Sequence, residues 1–230
     1  MNAQQWLEAC WTFLFPACCP GCSCGVEVRG EWCKECLEKI LDVRQIPLNQ
    51  DSPLDELWVI GDYRGSLREK IIAYKFPPYQ RKWRFAFWNL LARSEGKLFF
   101  LDEVTLAVPI PLHEERQKER GFNQSVEIFS KWGKNRFLWQ EILVRSRLTR
   151  VQSLLETKEE RRENMKRAFQ VVGEADLSGQ VILLLDDIST SGATFEEAGR
   201  ALRKRKVKKI IGLALASGAM IVEAEESCET

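Results

Sequence analysis

The chain has 230 residues, of which 45% are hydrophobic and 29% charged, with eight cysteines and a formal net charge of +1. This is enough apolar material for one α/β domain of ordinary size beside a small accessory module, and it excludes a disordered chain. The near-neutral total argues neither for nor against a polyanionic partner, but residues 1–60 hold 4 basic and 9 acidic side chains, residues 61–170 hold 23 and 14, and residues 171–230 hold 7 and 10. A basic middle between acidic flanks suits pyrophosphate, single-stranded DNA or an acidic partner as much as a plainly solvated surface.

In chain order, residues 6–15 form the most apolar early stretch, but Glu8, Cys10 and Thr12 interrupt it and it is too short to span a bilayer. Without a basic leader it reads as an N-terminal helix of a cytoplasmic protein with no transmembrane segment. Cys19-x2-Cys22 and Cys33-x2-Cys36 follow. Two such knuckles can present four thiolates tetrahedrally to a structural Zn²⁺, with Gly25 and Gly30 allowing a hairpin between them. A disulfide framework is the competing reading, disfavoured in a reducing compartment. Cys18 and Cys24 leave open whether one of them replaces Cys19 or Cys22. The expected division is a module over residues 1–50 and a main domain over residues 51–230.

The main domain is expected to start with a strand at residues 57–63 and a helix at 65–76 that ends at Pro77-Pro78. Residues 74–88 then interleave aromatic side chains with Lys75, Arg81, Lys82 and Arg84. Such a mixture stacks bases and neutralises phosphates, or it is a helix with an aromatic core face and a solvated basic face, which is the preferred reading. A second strand at 104–108 leads through a charged loop to Arg120-Gly121-Phe122-Asn123 and a helix at 126–132. In a doubly wound sheet this turn stands at the carboxyl ends of the strands, where Arg116 and Arg120 can face a phosphate, Gly121 permits a tight turn and Asn123 caps the helix. His113, on the charged loop, reads as a surface residue. Residues 145–169 are charged and poor in apolar side chains, and read as a mobile loop that brings Arg161 toward a leaving pyrophosphate, or as a solvated linker.

Residues 181–185 are an unbroken apolar run, the pattern of a strand buried on both faces, and residues 194–206 read as the next helix. Between them lie Asp186, Asp187, Ser189, Thr190, Ser191, Gly192, Ala193 and Thr194. A helix N-terminus preceded by hydroxyls and a permissive glycine is suited to a phosphate, and two carboxylates beside it suit ribose hydroxyls or a Mg²⁺ ion. No lysine follows the glycine as a Walker A loop requires, and there is no G-x-G-x-x-G dinucleotide fingerprint.

This strand, Asp-Asp pair and hydroxyl turn resemble the phosphoribosyl pyrophosphate (PRPP) loop of the type I phosphoribosyltransferases, with Ser191 where a second threonine is commoner. Together with the four cysteines, Val108-Pro109-Ile110-Pro111-Leu112, Arg120-Gly121-Phe122-Asn123-Gln124, Thr149-x2-Gln152, Glu160-Arg161-x2-Asn164 and Ala168-Phe169, they resemble the ComF family of bacterial competence proteins over nearly the whole chain. Arg167 departs from the pattern, since the family often has glycine before Ala-Phe. The resemblance implies an α/β fold of the type I phosphoribosyltransferase kind, a doubly wound parallel sheet with a zinc-ribbon-like N-terminal module, and a role in DNA uptake and natural transformation.

Two functions follow from that resemblance. In the first, Mg²⁺-PRPP or a related ribose phosphate sits on residues 189–194, with its ribose on Asp186 and Asp187 and its pyrophosphate near Arg116, Arg120 and Arg161, and a nucleophile displaces pyrophosphate. In the second, the fold is a non-catalytic adaptor that holds single-stranded DNA or a competence helicase. Nothing in the sequence identifies a nucleophile, an acceptor or an oligomeric state.

Overall fold

A computed structural model describes residues 16–146, 167–174 and 176–218. The segment expected to be an N-terminal helix and most of the expected mobile loop, Arg161 included, lie outside these residues.

The chain forms a six-stranded sheet from β1 (Leu41–Gln45), β2 (Glu56–Asp62), β3 (Leu106–Pro109), β4 (Leu138–Trp139), β7 (Val181–Ser189) and β8 (Lys209–Ser217), in the order β1-β2-β8-β7-β3-β4. All neighbours are parallel except β1 and β2. The short β5 (Leu143–Arg145) and β6 (Phe169–Val171) pair antiparallel as a separate ribbon.

The helices are α1 (Lys34–Ile40), α2 (Gly65–Lys75), α3 (Arg84–Ser94), α4 (Glu114–Arg120), α5 (Gln124–Gly133) and α6 (Ala193–Arg203). Successive side chains of a strand point to opposite faces, and the apolar run of β7 therefore feeds two cores. Leu183 and Leu185 pack with Ile71 of α2, Phe87 and Leu90 of α3 and Phe129 of α5. Ile182 and Leu184 pack with Phe195, Ala198 and Leu202 of α6 on the other side. Helices thus cover both faces of a mostly parallel sheet, the α/β architecture read from the sequence.

Three elements differ from expectation. β7 runs on to Ser189, four residues beyond its apolar run, because β8 offers an equally long partner: Asp186 pairs with Ala214, Ile188 with Ala216 and Ser189 with Ser217. The two aspartates are therefore strand residues and not loop residues. The charged loop after β3 is the helix α4, whose sequence EERQKER has no apolar periodicity to betray it. His113 is its N-cap, with Nδ1 accepting from the Glu115 amide at 3.3 Å, and Lys118 pairs with Glu114 one turn away. Finally, α6 ends at Arg203 and passes through a turn in which Lys206 has a φ of 56°.

The cysteine module is continuous with the main core. Trp32 is 2% exposed and shares the cluster of Leu183 and Leu185, and its indole N–H donates to the Ala86 carbonyl at 3.0 Å. Gly30, with φ of 86°, lies so close to the Phe85 backbone that a Cβ would stand 2.5 Å from it. The expected division at residue 50 falls after β1, an edge strand of the main sheet. No helix among the described residues is long and apolar enough to cross a membrane.

Candidate functional site

The carboxyl ends of β7 and β3 define the site, as expected for an open α/β sheet. Asp186 is 8% exposed and Asp187 2%. Burial at this depth needs partners. Asp186 Oδ1 accepts from Ser125 Oγ at 2.7 Å and from the Asp187 amide at 2.9 Å. Lys75, the last residue of α2, sets its ammonium 2.8 and 3.0 Å from the two Asp187 oxygens. Burial, then the adjacent Asp187 charge, pushes the Asp186 carboxyl up to about 7, against the pull of Lys75 and Ser125.

A cavity of about 320 Å³ opens above these carboxylates. Of the residues expected to bind phosphate or sugar, Asp186, Asp187, Thr190, Thr194, Arg116 and Arg120 line it. The others are placed differently. Ser189 is buried at the end of β7. Ser191 Oγ accepts from the Ala193 amide at 3.4 Å, and Ala193 itself is buried. Gly192 has the positive φ, 76°, that turns the chain into α6. Gly121 closes α4. Asn123 caps α5, its Oδ1 accepting from the Ser125 amide at 2.9 Å and its Nδ2 donating to the Ile110 carbonyl at 3.1 Å. These residues shape the backbone around the cavity.

Sequence reasoning missed several lining residues. Along the sequence Lys75 is only one cation in a basic-aromatic stretch, and its bond to Asp187 spans 112 positions, so no local signal reports it. Arg145 of β5 also lines the cavity. Burial, then the charge of Arg116, holds its guanidinium down to about 10, while Asp186 pulls the other way. Arg116 is lowered too, by burial first and by Arg120 second. Glu119 also lines the cavity and pulls Arg116 the other way, but three guanidiniums outnumber it and favour an anion among them. Tyr63, Phe76, Pro77 and Tyr79 also line the cavity.

The basic-aromatic stretch divides between core and surface. Tyr74 and Phe87 are fully buried, whereas Arg84 lies over the rings of Phe85 and Trp88, and Lys131 of α5 also lies over Trp88.

The four expected metal ligands come together. The sulfurs of Cys19, Cys22, Cys33 and Cys36 all lie within 4.8 Å of one another, and Cys22 and Cys33 are 3.6 Å apart. A tetrahedral site with Zn–S bonds of about 2.3 Å needs sulfurs about 3.8 Å apart, so this donor set fits. Cys33 caps α1 and Cys36 lies in its first turn, so an i, i+3 spacing puts both on one helix face. The Gly21 and Cys33 amides donate to Cys19 Sγ at 3.4 and 3.3 Å. Although burial raises the Cys19 thiol, amides of Cys22, Cys33 and Gly21 bring it below its ordinary value. Hydrogen bonds from the Cys24 backbone, then its side chain, lower Cys22 to about 6. The knuckle is held by a bridge between Cys18 and Gly25 that flanks the first cysteine pair, not by a hairpin between the two pairs. Cys18 turns to the Pro16 carbonyl.

Comparison with known proteins agrees with this geometry. The phosphoribosyl transferase domain matches residues 144–225, which include β7 and α6. The chain is 27% identical over 205 residues to Competence protein F of Haemophilus influenzae, covering 84% of this chain and 81% of that protein. It is 28% identical over 194 residues to DNA utilization protein YhgH of Escherichia coli K12, covering 80% of this chain and 77% of that protein. The chain is thus similar to a competence protein and a DNA utilization protein over most of its length. The resemblance also bears on the backbone at Arg167. Arg167 stands where ComF chains often have glycine, and it adopts the left-handed conformation glycine favours, with φ of 54°. Its amide donates to Glu197 Oε1 at 2.5 Å, which offsets the steric cost.

Proposed function

We propose that this chain binds Mg²⁺-PRPP, or a related ribose phosphate, and serves in the handling of DNA. The observation that carries the reading is the convergence in one cavity of Asp186 and Asp187, the Thr190 and Thr194 hydroxyls at the start of α6, and Arg116, Arg120 and Arg145. The 5-phosphate takes the turn at residues 190–194, where amides and the helix dipole favour an anion. Ribose hydroxyls donate to Asp186 and Asp187, and the arginines face pyrophosphate. Because Lys75 already neutralises Asp187, Mg²⁺ would enter on the ligand's own phosphate oxygens and offset their charge. If pyrophosphate leaves, the carboxylates stabilise the positive sugar and the arginines the departing anion.

The names of the relatives, Competence protein F and DNA utilization protein, support the DNA-related role. The four-cysteine cluster is read as a structural Zn²⁺ site, because four protein thiolates close the coordination shell.

Calorimetric titration of Mg²⁺-PRPP tests the reading. Binding to the wild type and its loss, by about tenfold or more, in Asp186→Asn/Asp187→Asn is the expected outcome. A wild type that releases no heat and fails to retain labelled PRPP overturns it.

A further inference from the structure

The cysteine module carries more thiol than one metal ion needs. Six cysteines among the described residues are free of disulfides, and the four at positions 19, 22, 33 and 36 are enough to close a tetrahedral shell. Cys18 and Cys24, both exposed, are left over. The fold treats them differently. Cys18 turns its sulfur to the Pro16 carbonyl at 3.5 Å, whereas the Cys24 thiol donates to the sulfurs of Cys22 and Cys33, which are themselves 3.6 Å apart. The backbone holds Cys24 there. The Ser23 amide donates to the Cys19 carbonyl at 3.0 Å and the Cys19 amide to the Cys24 carbonyl at 2.8 Å, while Ser23 takes a left-handed φ of 64°. The chain doubles back within one knuckle, and a fifth thiol comes to rest against two of the four ligands.

Exposure decides which of these sulfurs an oxidant reaches. Cys19 is buried and Cys33 and Cys36 are half-buried, so Cys22 is the exposed ligand, and Cys24 is exposed beside it. We propose that Cys24 is the resolving thiol of the metal site, which traps an oxidised Cys22 as a disulfide before that ligand is lost. The inference rests on the reading that the four thiolates hold Zn²⁺. With hydrogen peroxide as oxidant, the Cys22 thiolate attacks one oxygen: an S–O bond forms, the O–O bond breaks, and hydroxide leaves. The Cys24 sulfur then attacks the Cys22 sulfur, an S–S bond forms, the S–O bond breaks, and the thiol proton departs with the hydroxyl as water. The two sulfurs have given two electrons to the peroxide. A site with one ligand tied up in a disulfide holds its ion weakly, and a dithiol reductant restores both thiols. Without a resolving thiol the sulfenic acid goes on to sulfinic acid, which a dithiol does not reduce.

The test takes full-length wild type, Cys24→Ser and Cys18→Ser through a small excess of hydrogen peroxide and then dithiothreitol with Zn²⁺, and follows bound zinc by metal analysis and cysteine oxidation by mass spectrometry. Before oxidation all three are expected to hold about one equivalent of zinc, because neither substituted residue is a ligand. After the cycle, wild type and Cys18→Ser are expected to regain about one equivalent, whereas Cys24→Ser regains less than about half and carries sulfinic acid at Cys22. Equal recovery in Cys24→Ser overturns the proposal, as does a wild type whose Cys22 becomes sulfinic acid. A Cys24→Ser protein without zinc before oxidation makes Cys24 a ligand and overturns it as well. A wild type that holds no zinc at the outset overturns the zinc reading itself, and this inference with it.

Discussion

Asp186 combines burial, a neighbouring carboxylate and a hydroxyl donor in one side chain, and its behaviour with pH follows. Its carboxyl is held up to about 7, first by burial and then by Asp187, so the folded chain keeps a proton that the unfolded chain releases at lower pH. Stability from this group is fully present below the ordinary carboxylate range and is lost as pH rises through about 7. Asp186→Asn cannot titrate, so the drop in thermal midpoint between about pH 5 and about pH 8 is expected to be smaller in the variant than in the wild type. An unchanged drop would show that other groups set the pH dependence. The sequence made Asp186 and Asp187 legible because an apolar run ends at them. It did not reveal Lys75, Arg145 or Ser125, whose meaning lies in contacts made across the fold and not in their neighbours along the chain.

At the level of elements, the apolar pattern found β2, β3, β7, α2, α5 and α6, passed over the equally apolar strand β8, and had nothing to report at α4. Helix α4 is built from charged helix formers with no apolar face, and only its capping group, His113 Nδ1, marks its start. The extension of β7 through both aspartates was equally hidden, because it depends on the length of β8. Arg167 offers an elemental test. It enters β6 in a left-handed conformation that disfavours any residue with a Cβ, at a cost of about 1–2 kcal/mol. Arg167→Gly is expected to stabilise the chain by up to about 1 kcal/mol in a urea unfolding series, the greater freedom of glycine in the unfolded state taking back part of the gain. A destabilised variant would mean that the arginine side chain contributes more than the backbone costs.

Across the whole molecule, the cysteine module and the sheet share a single apolar cluster that runs from Cys19 and Trp32 to Leu183 and Leu213. Metal bound by the four thiolates is therefore coupled to the sheet. Protein purified without chelator is expected to contain about one equivalent of zinc, and its removal is expected to lower the midpoint of one cooperative unfolding transition. A chelated sample in which a small early transition separates from an unmoved main one would show that the two parts unfold independently.

The β5–β6 ribbon has a consequence for the cavity. Arg145 and Phe169 are register partners, and the Ser146 amide donates to the Ala168 carbonyl at 3.0 Å. Residues distant along the chain are therefore neighbours here, with Arg145 beside the cavity. A substitution in β6 that weakens this pairing would reach the cavity through Arg145.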